Sequence, residues 1–227
     1  MSLPGWLKMR ALTGVFLLIN CSLTSAAIQL QQTRLVYPAG EPSIALAIKN
    51  KDSTQAVAIN SWVESDRRDI SILPARVIIE PMGEKKITIS IPDDGKDRHR
   101  ERLYWLNVKA APGVKSAAPL AMTVINRIKL FYRPKKLFSG ADNAYRKLTI
   151  GGCSKQLIIK NPTPYYISFY SLKIDKQEIT DVRMIAPYES VVVSQTDGTR
   201  HTRVYWQAIL DTGFHSPILA KKKSAGC

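Results

Sequence analysis

Three kinds of side chain in this sequence have the means to do chemistry, namely histidines, an acidic pair and thiols, and none has neighbours that suit it. His99, His201 and His215 lie in basic or polar stretches that read as turns, and no GxSxG, P-loop, HExxH or GxGxxG pattern occurs. The Asp93-Asp94 pair falls in a Pro/Gly turn and reads as a solvated loop rather than a general acid and base. Without a CxxC, neither a dithiol redox centre nor a zinc knuckle is expected. The sequence therefore predicts no enzyme, no cofactor and no metal site. A Ser-His-Asp site assembled from distant pieces is the enzymatic alternative, and ester or glycoside turnover lost on substituting one histidine is what would support it.

A different pattern carries more information. In the run Leu120 to Tyr132, Leu120, Met122 and Val124 form an apolar stripe just after a polar loop, while Ala121, Thr123 and Ile125 alternate with them and are expected to face the protein's own core. A strand apolar on both sides has two readings. One is burial between two sheets; the other is an edge strand that completes a partner's sheet, its main chain supplying hydrogen bonds and alternate side chains filling pockets.

The elements that must position this strand follow from the rest of the chain. Lys8 and Arg10 precede the apolar run Ala11 to Ile19, and small residues end at Ala26-Ala27, the three-part pattern of a cleavable export signal spanning 1–26. The apolar run is shorter than the roughly 20 residues that cross a bilayer, so no stable membrane insertion is expected. The formal charge of +15 becomes +13 once Lys8 and Arg10 leave. Such a charge suggests an acidic partner, a membrane surface or nucleic acid, and export argues against the last of these. Of the three cysteines, Cys153 and Cys227 survive cleavage and are a candidate disulfide in an oxidising compartment, worth on the order of 4 kcal/mol by chain entropy.

Long helical patterns are missing, and short alternating runs recur between turn signals. Ile44, Leu46 and Ile48 alternate with small or polar residues, and Ile87, Ile89 and Ile91 do the same. Further strands are expected at Ile28 to Tyr37, Ala56 to Glu64, Arg76 to Ile79 and Leu103 to Val108, separated by Pro38-Ala39-Gly40, Pro81-Met82-Gly83 and Pro112-Gly113. About seven strands in roughly 105 residues is the spacing of one immunoglobulin-like sandwich. A second series runs from Lys147 to Lys221. The expected fold is all-β: two immunoglobulin-like β-sandwich domains in tandem, 27–134 and 135–227, with the Arg133-Pro134 step as the joint.

Four strings, in order, resemble the PapD-like periplasmic pilus chaperones: TRLVYPAG at Thr33 to Gly40, RERLYWLNV at Arg100 to Val108, NRIKLFYRP at Asn126 to Pro134 and NPTPYY at Asn161 to Tyr166. The resemblance covers essentially all of the exported chain, and the short loop between Asn107 and Leu120 is similar to the family's short-loop branch. It implies an L-shaped molecule with a cleft between the domains. Arg34 and Lys129 would lie at the base of that cleft and anchor the C-terminal carboxylate of a pilus (fimbrial) subunit. Leu120, Met122 and Val124 would fill the subunit's groove by donor-strand complementation, and Glu101, Arg133 and Asp211 would bridge the domains. The partners implied are pilus subunits and an outer-membrane usher, the compartment the periplasm. Lys129 has the opposite parity to the stripe, which a bulge or strand twist would reconcile. The rival from another class is a structural or adhesive sandwich that is itself a pilus component, and it would be expected to carry one incomplete domain.

Overall fold

Alternating β-branched residues between proline, glycine and asparagine turns leave the chain built of strands. The computed structural model describes residues 28–67, 69–96, 98–113, 122–152, 156–194 and 203–224. Leu120, Ala121, Cys153 and Cys227 lie outside the described residues, as does the export signal.

The first half contains β1 (Ile28–Leu30), β2 (Arg34–Pro38), β3 (Ile44–Asn50), β4 (Val57–Glu64), β5 (Ser71–Leu73), β6 (Arg76–Ile79), β7 (Glu84–Ser90), β8 (Arg102–Pro112) and β9 (Val124–Arg133). Two short 3-10 turns, Lys135–Leu137 and Ala141–Lys147, lead into β10 (Thr149–Gly151), β11 (Gln156–Lys160), β12 (Ile167–Ile174), β13 (Gln177–Glu178), β14 (Met184–Ile185), β15 (Ser190–Ser194), β16 (Arg203–Ala208) and β17 (Leu219–Lys222). A sheet ordered β1-β3-β7-β5 accompanies one ordered β2-β9-β8-β4-β6, and β10-β11-β15 accompanies β13-β12-β16-β17, with β14 on β12. Each pair closes on its own core. One holds Leu46, Ile48, Ile87, Ile89, Leu106 and Leu130; the other holds Leu148, Leu157, Ile159, Val204 and Trp206, whose indole N–H donates to the Tyr145 carbonyl at 3.1 Å. Each such side chain contributes roughly 1.5–3 kcal/mol by leaving water.

The expected single strand Ile28 to Tyr37 is broken at Gln31–Thr33. Ile28 is buried at an even position whereas Leu35 and Tyr37 are buried at odd ones, so one uninterrupted strand would turn one set to solvent. The break lets β1 join β3 while β2 crosses to the other sheet and runs parallel to β9. The short β5 was not anticipated because only Ile72 of its three residues is buried.

Strand β9 corrects two expectations. Its antiparallel register with β8 is continuous from Arg102 opposite Tyr132 to Ala110 opposite Val124, so no bulge separates the stripe from Lys129. Ile128, Leu130 and Tyr132 are the residues buried in the core. Val124 and Met122 share their parity, and Ile125, expected to face inward, is 53% exposed on the opposite face. The apolar stripe is thus the core face of β9 continued past the end of the core, where Met122 and Val124 line a small pocket with Ile28, Val57 and Ala110.

Leu106→Ala is expected to cost about 2–5 kcal/mol by urea denaturation, since the side chain is fully buried. Ile78→Ser, on an exposed edge, is expected to stay within about 0.5 kcal/mol.

Candidate functional site

Alternation along β9 puts Ile125, Arg127, Lys129, Phe131 and Arg133 on the face turned away from the first core. The parallel register sets Arg34 of β2 directly beside Lys129, and strands in one sheet lie about 4.8 Å apart. Two cations so close need either an anion or shared neutral acceptors. Arg34 is buried, with one Nη1 donating to the carbonyls of Ile209 and, at 3.2 Å, Leu210. Its Nη2 donates to Ser168 Oγ at 3.1 Å, and Lys129 Nζ donates to the same oxygen at 3.0 Å. The Arg34 guanidinium also lies 4.7 Å over the Phe131 ring.

Ser168, one step into β12 and almost fully buried, is therefore a neutral oxygen held between two positive groups. No carboxylate pairs with either cation among the described residues. The cost shows in their proton affinities. Burial lowers the Lys129 ammonium to about 8, with Arg34 and the exposed Arg183 adding repulsion. Burial also lowers Arg34, against which the field of Asp211 and Glu101 works.

The next cation on this face is treated in the opposite way. Arg133 Nε donates to Glu101 Oε1 at 2.6 Å, and its two terminal nitrogens donate to Asp211 at 2.6 and 3.0 Å. Burial works to lower the Arg133 guanidinium, but the bidentate bonds to Asp211 and the field of Glu101 outweigh it and hold Arg133 charged, above its ordinary value. The second Glu101 oxygen accepts the N–H of Tyr166 at 2.8 Å, and the Glu101 N–H donates to Pro164 at 2.9 Å. Burial pushes the Glu101 carboxyl up, opposed by Arg133 and the Tyr166 N–H. Both contacts depend on the Asn161–Tyr166 loop. There Asn161 Nδ2 donates to the carbonyls of Tyr165 and Ala186, and its Oδ1 accepts from Thr163. The three residues Glu101, Arg133 and Asp211 thus tie β8 and β9 to the second sandwich beside the Arg34–Lys129 pair.

Beyond Lys129 the sheet is unfinished. β2 pairs with β9 only at residues 129–133, and among the described residues nothing pairs with Val124–Ile128 on the side away from β8. The open edge ends where the two cations begin. The structure brings together Arg34 with Lys129, and Glu101 with Arg133 and Asp211. Met122 and Val124 lie on the opposite face of the same strand, and Leu120, Cys153 and Cys227 fall outside the described residues. Sequence reasoning missed Ser168 and the Ile209 and Leu210 carbonyls. Parity from Lys129 would have found Phe131, but a lone serine and two backbone acceptors leave no sequence signal. Among the described residues, no cluster of His, Cys, Asp or Glu is suited to a metal, and no helix is long and apolar enough to cross a membrane.

Residues 27–138 match the profile described as pili and flagellar-assembly chaperone, PapD N-terminal domain, and residues 143–219 that of the pili assembly chaperone PapD, C-terminal domain. The chain belongs to the PapD family of pilus-assembly chaperones. The chaperone protein FimC of Escherichia coli K12 is 32% identical over 204 residues, 85% of this chain and 83% of FimC. FocC of Escherichia coli is 30% identical over 197 residues, 83% of this chain and 86% of FocC. Among solved structures, the CupB2 chaperone of Pseudomonas aeruginosa superposes with a TM-score of 0.73 at 27% identity, covering 86% of this chain and all of CupB2. The YadV chaperone gives 0.74 at 27% identity, over 87% of this chain and all of YadV. The all-β architecture of two sandwiches is the PapD-family fold.

Two outcomes test the electrostatics. Lys129 is protonated less readily folded than unfolded, so between about pH 8 and the ordinary 10.5 the unfolded chain binds more protons and stability rises with pH. Urea midpoints are expected to climb across that window in the native protein, and Lys129→Met is expected to remove the climb. Arg133→Ala, which leaves the buried Glu101 carboxylate uncompensated, is expected to cost about 3–5 kcal/mol.

Proposed function

We propose that this protein is a periplasmic chaperone that captures pilus subunits by lending them β9, holds their C-terminus on Arg34 and Lys129, and delivers them to an outer-membrane usher. Export through cleavage after Ala26 brings it to the compartment where such subunits emerge. The observation that carries this reading is the coincidence of a strand edge, Val124–Ile128, that is open among the described residues, with two cations that no acid among those residues pairs with. The names of the relatives support the class of partner.

A partner strand has a definite course in this scheme. It occupies the lane that β2 vacates, and its terminal carboxylate comes to the Arg34–Lys129 end. The strand therefore runs from Val124 towards Lys129, parallel to β9. The carboxylate replaces Ser168 as the main acceptor and forms short charge-assisted hydrogen bonds to both cations. The Leu120, Met122 and Val124 side chains, of which Met122 is 73% and Val124 39% exposed, then fill the apolar groove of a subunit that lacks its own last strand. That groove is otherwise an aggregation hazard. Because they continue the chaperone's core face, the two apolar interiors merge across the added strand.

Glu101, Arg133 and Asp211 act indirectly, by setting the angle at which the second sandwich presents Ser168. Release requires no nucleotide: another subunit's extension takes the place of β9. The chain has no need of catalysis in this scheme. The rival reading, a structural pilus component, is disfavoured because family profiles match in both halves of the chain.

The native protein is expected to co-purify one to one with a pilus subunit from periplasmic extract. Arg34→Ala and Lys129→Ala are each expected to weaken capture by at least about tenfold, the worth of one hydrogen bond to a charged group, with the fold intact by circular dichroism. Capture undiminished in both variants would overturn the anchoring role.

A further inference from the structure

The capped strand faces a register problem that its alternation does not solve. A slip of one residue reverses every side chain and is penalised by the whole apolar stripe. A slip of two residues keeps every side chain on its face and moves the chain by about 7 Å. It is opposed only if the carboxylate cannot bind two positions away. Along β9 the position two residues before Lys129 on the same face is Arg127, beside the open lane, whereas Arg133 lies where β2 already fills the lane. Arg127 is a competing anchor for a carboxylate, and a better one than lysine in bidentate geometry.

That competitor is occupied. Arg127 borders the open lane itself and is drawn out of it. Its guanidinium lies 4.4 Å over the Trp105 ring on the neighbouring strand β8, and its Nη2 pairs with Glu64 Oε2 on β4, one strand further away. The other Glu64 oxygen accepts from Asn107 Nδ2 at 2.9 Å, and Asn107 is buried directly opposite Arg127. Glu64 is thus oriented from below and neutralises Arg127 from the side away from the lane. As an exposed ion pair its contribution to stability is small, so stability alone gives little reason for the arrangement.

We propose that Glu64, positioned by Asn107 and aided by Trp105, is a register-setting residue: it silences Arg127 as an alternative carboxylate anchor, so that the partner's C-terminus seats only at Lys129 and Arg34. The inference rests on the reading of β9 as the capping strand. It makes Glu64 a specificity residue that touches no part of the partner.

The test compares affinities, by calorimetry, for a synthetic copy of the co-purifying subunit's C-terminal strand with a free carboxylate and for the same peptide as its C-terminal amide. In the native protein the acid form is expected to bind about tenfold or more tightly than the amide. Removing both anchors, Arg34→Ala with Lys129→Ala, is expected to bring that ratio close to one. Adding Glu64→Gln, or Glu64→Ala, to that double variant is expected to restore a preference of about tenfold for the acid, because Arg127 now accepts the carboxylate in the slipped register. Adding Arg127→Ala as a further change is expected to abolish it again.

A ratio that stays near one in both variants that add a Glu64 change to Arg34→Ala/Lys129→Ala overturns the register-setting role while leaving the anchor intact. A restored preference that survives Arg127→Ala overturns it as well. A ratio unaffected by removing both Arg34 and Lys129 instead contradicts the anchoring reading beneath it.

Discussion

Two positive side chains share one neutral oxygen, and most of the molecule's arrangement follows from that constraint. Arg34 and Lys129 are set side by side by the parallel pairing of β2 with β9, and both donate to Ser168 Oγ. Burial and mutual repulsion raise the free energy of this arrangement, which persists because the surrounding sheets over-determine it. The Arg133–Glu101–Asp211 bonds close by do the opposite work: they satisfy a buried cation fully and fasten the second sandwich, with its Ser168, in place. One cation on the β9 face is locked to hold the domains, one is neutralised at the surface by Glu64, and one is left uncompensated. An anion that arrives at Lys129 relieves strain, whereas an anion at either neighbour must displace an acid.

The strand that carries these charges is also unfinished on its edge and over-long on its core face. Because β1 and β2 belong to different sheets, β9 has a neighbour at residues 129–133 and, among the described residues, none on that side at Val124–Ile128. Main-chain donors and acceptors there await a strand, and Met122 and Val124 extend the apolar face beyond the protein's own core. Charge on one face and apolar surface on the other are what the period of two in a strand permits. In the proposed capture, affinity comes from the edge and the stripe, and register from the cations.

Much of this was legible in residue order, though unevenly. Strands β3 and β7 are readable because isoleucines alternate cleanly with small or polar residues, and β6, β11, β12 and β15 because short runs rich in β-branched residues stand between turn residues. The all-β class follows from them. The pairing of Arg34 with Lys129 came from motif resemblance, since nothing in composition sets a residue of the first strand beside one nearly a hundred positions later. The break at Gln31–Thr33 was missed although the change of parity between Ile28 and Leu35 records it. The inward face of β9 was assigned to Ile125 because periodicity shows two faces without saying which is inside, and Ile128, Leu130 and Tyr132 decide it. Ser168 left no trace, because a serine between hydrophobic residues of a strand reads as an ordinary exposed position until the fold folds it under a neighbouring domain.

The most direct test of the uncompensated cation is the ionisation of Lys129 itself, followed by nitrogen NMR of its side-chain ammonium in the free protein and with the partner's C-terminal strand bound as the acid and as the amide. The expected result is a value of about 8 in the free protein, a marked rise when the carboxylate peptide binds, and no comparable rise with the amide. A free value near the ordinary 10.5, or a response that is the same for acid and amide, would contradict it.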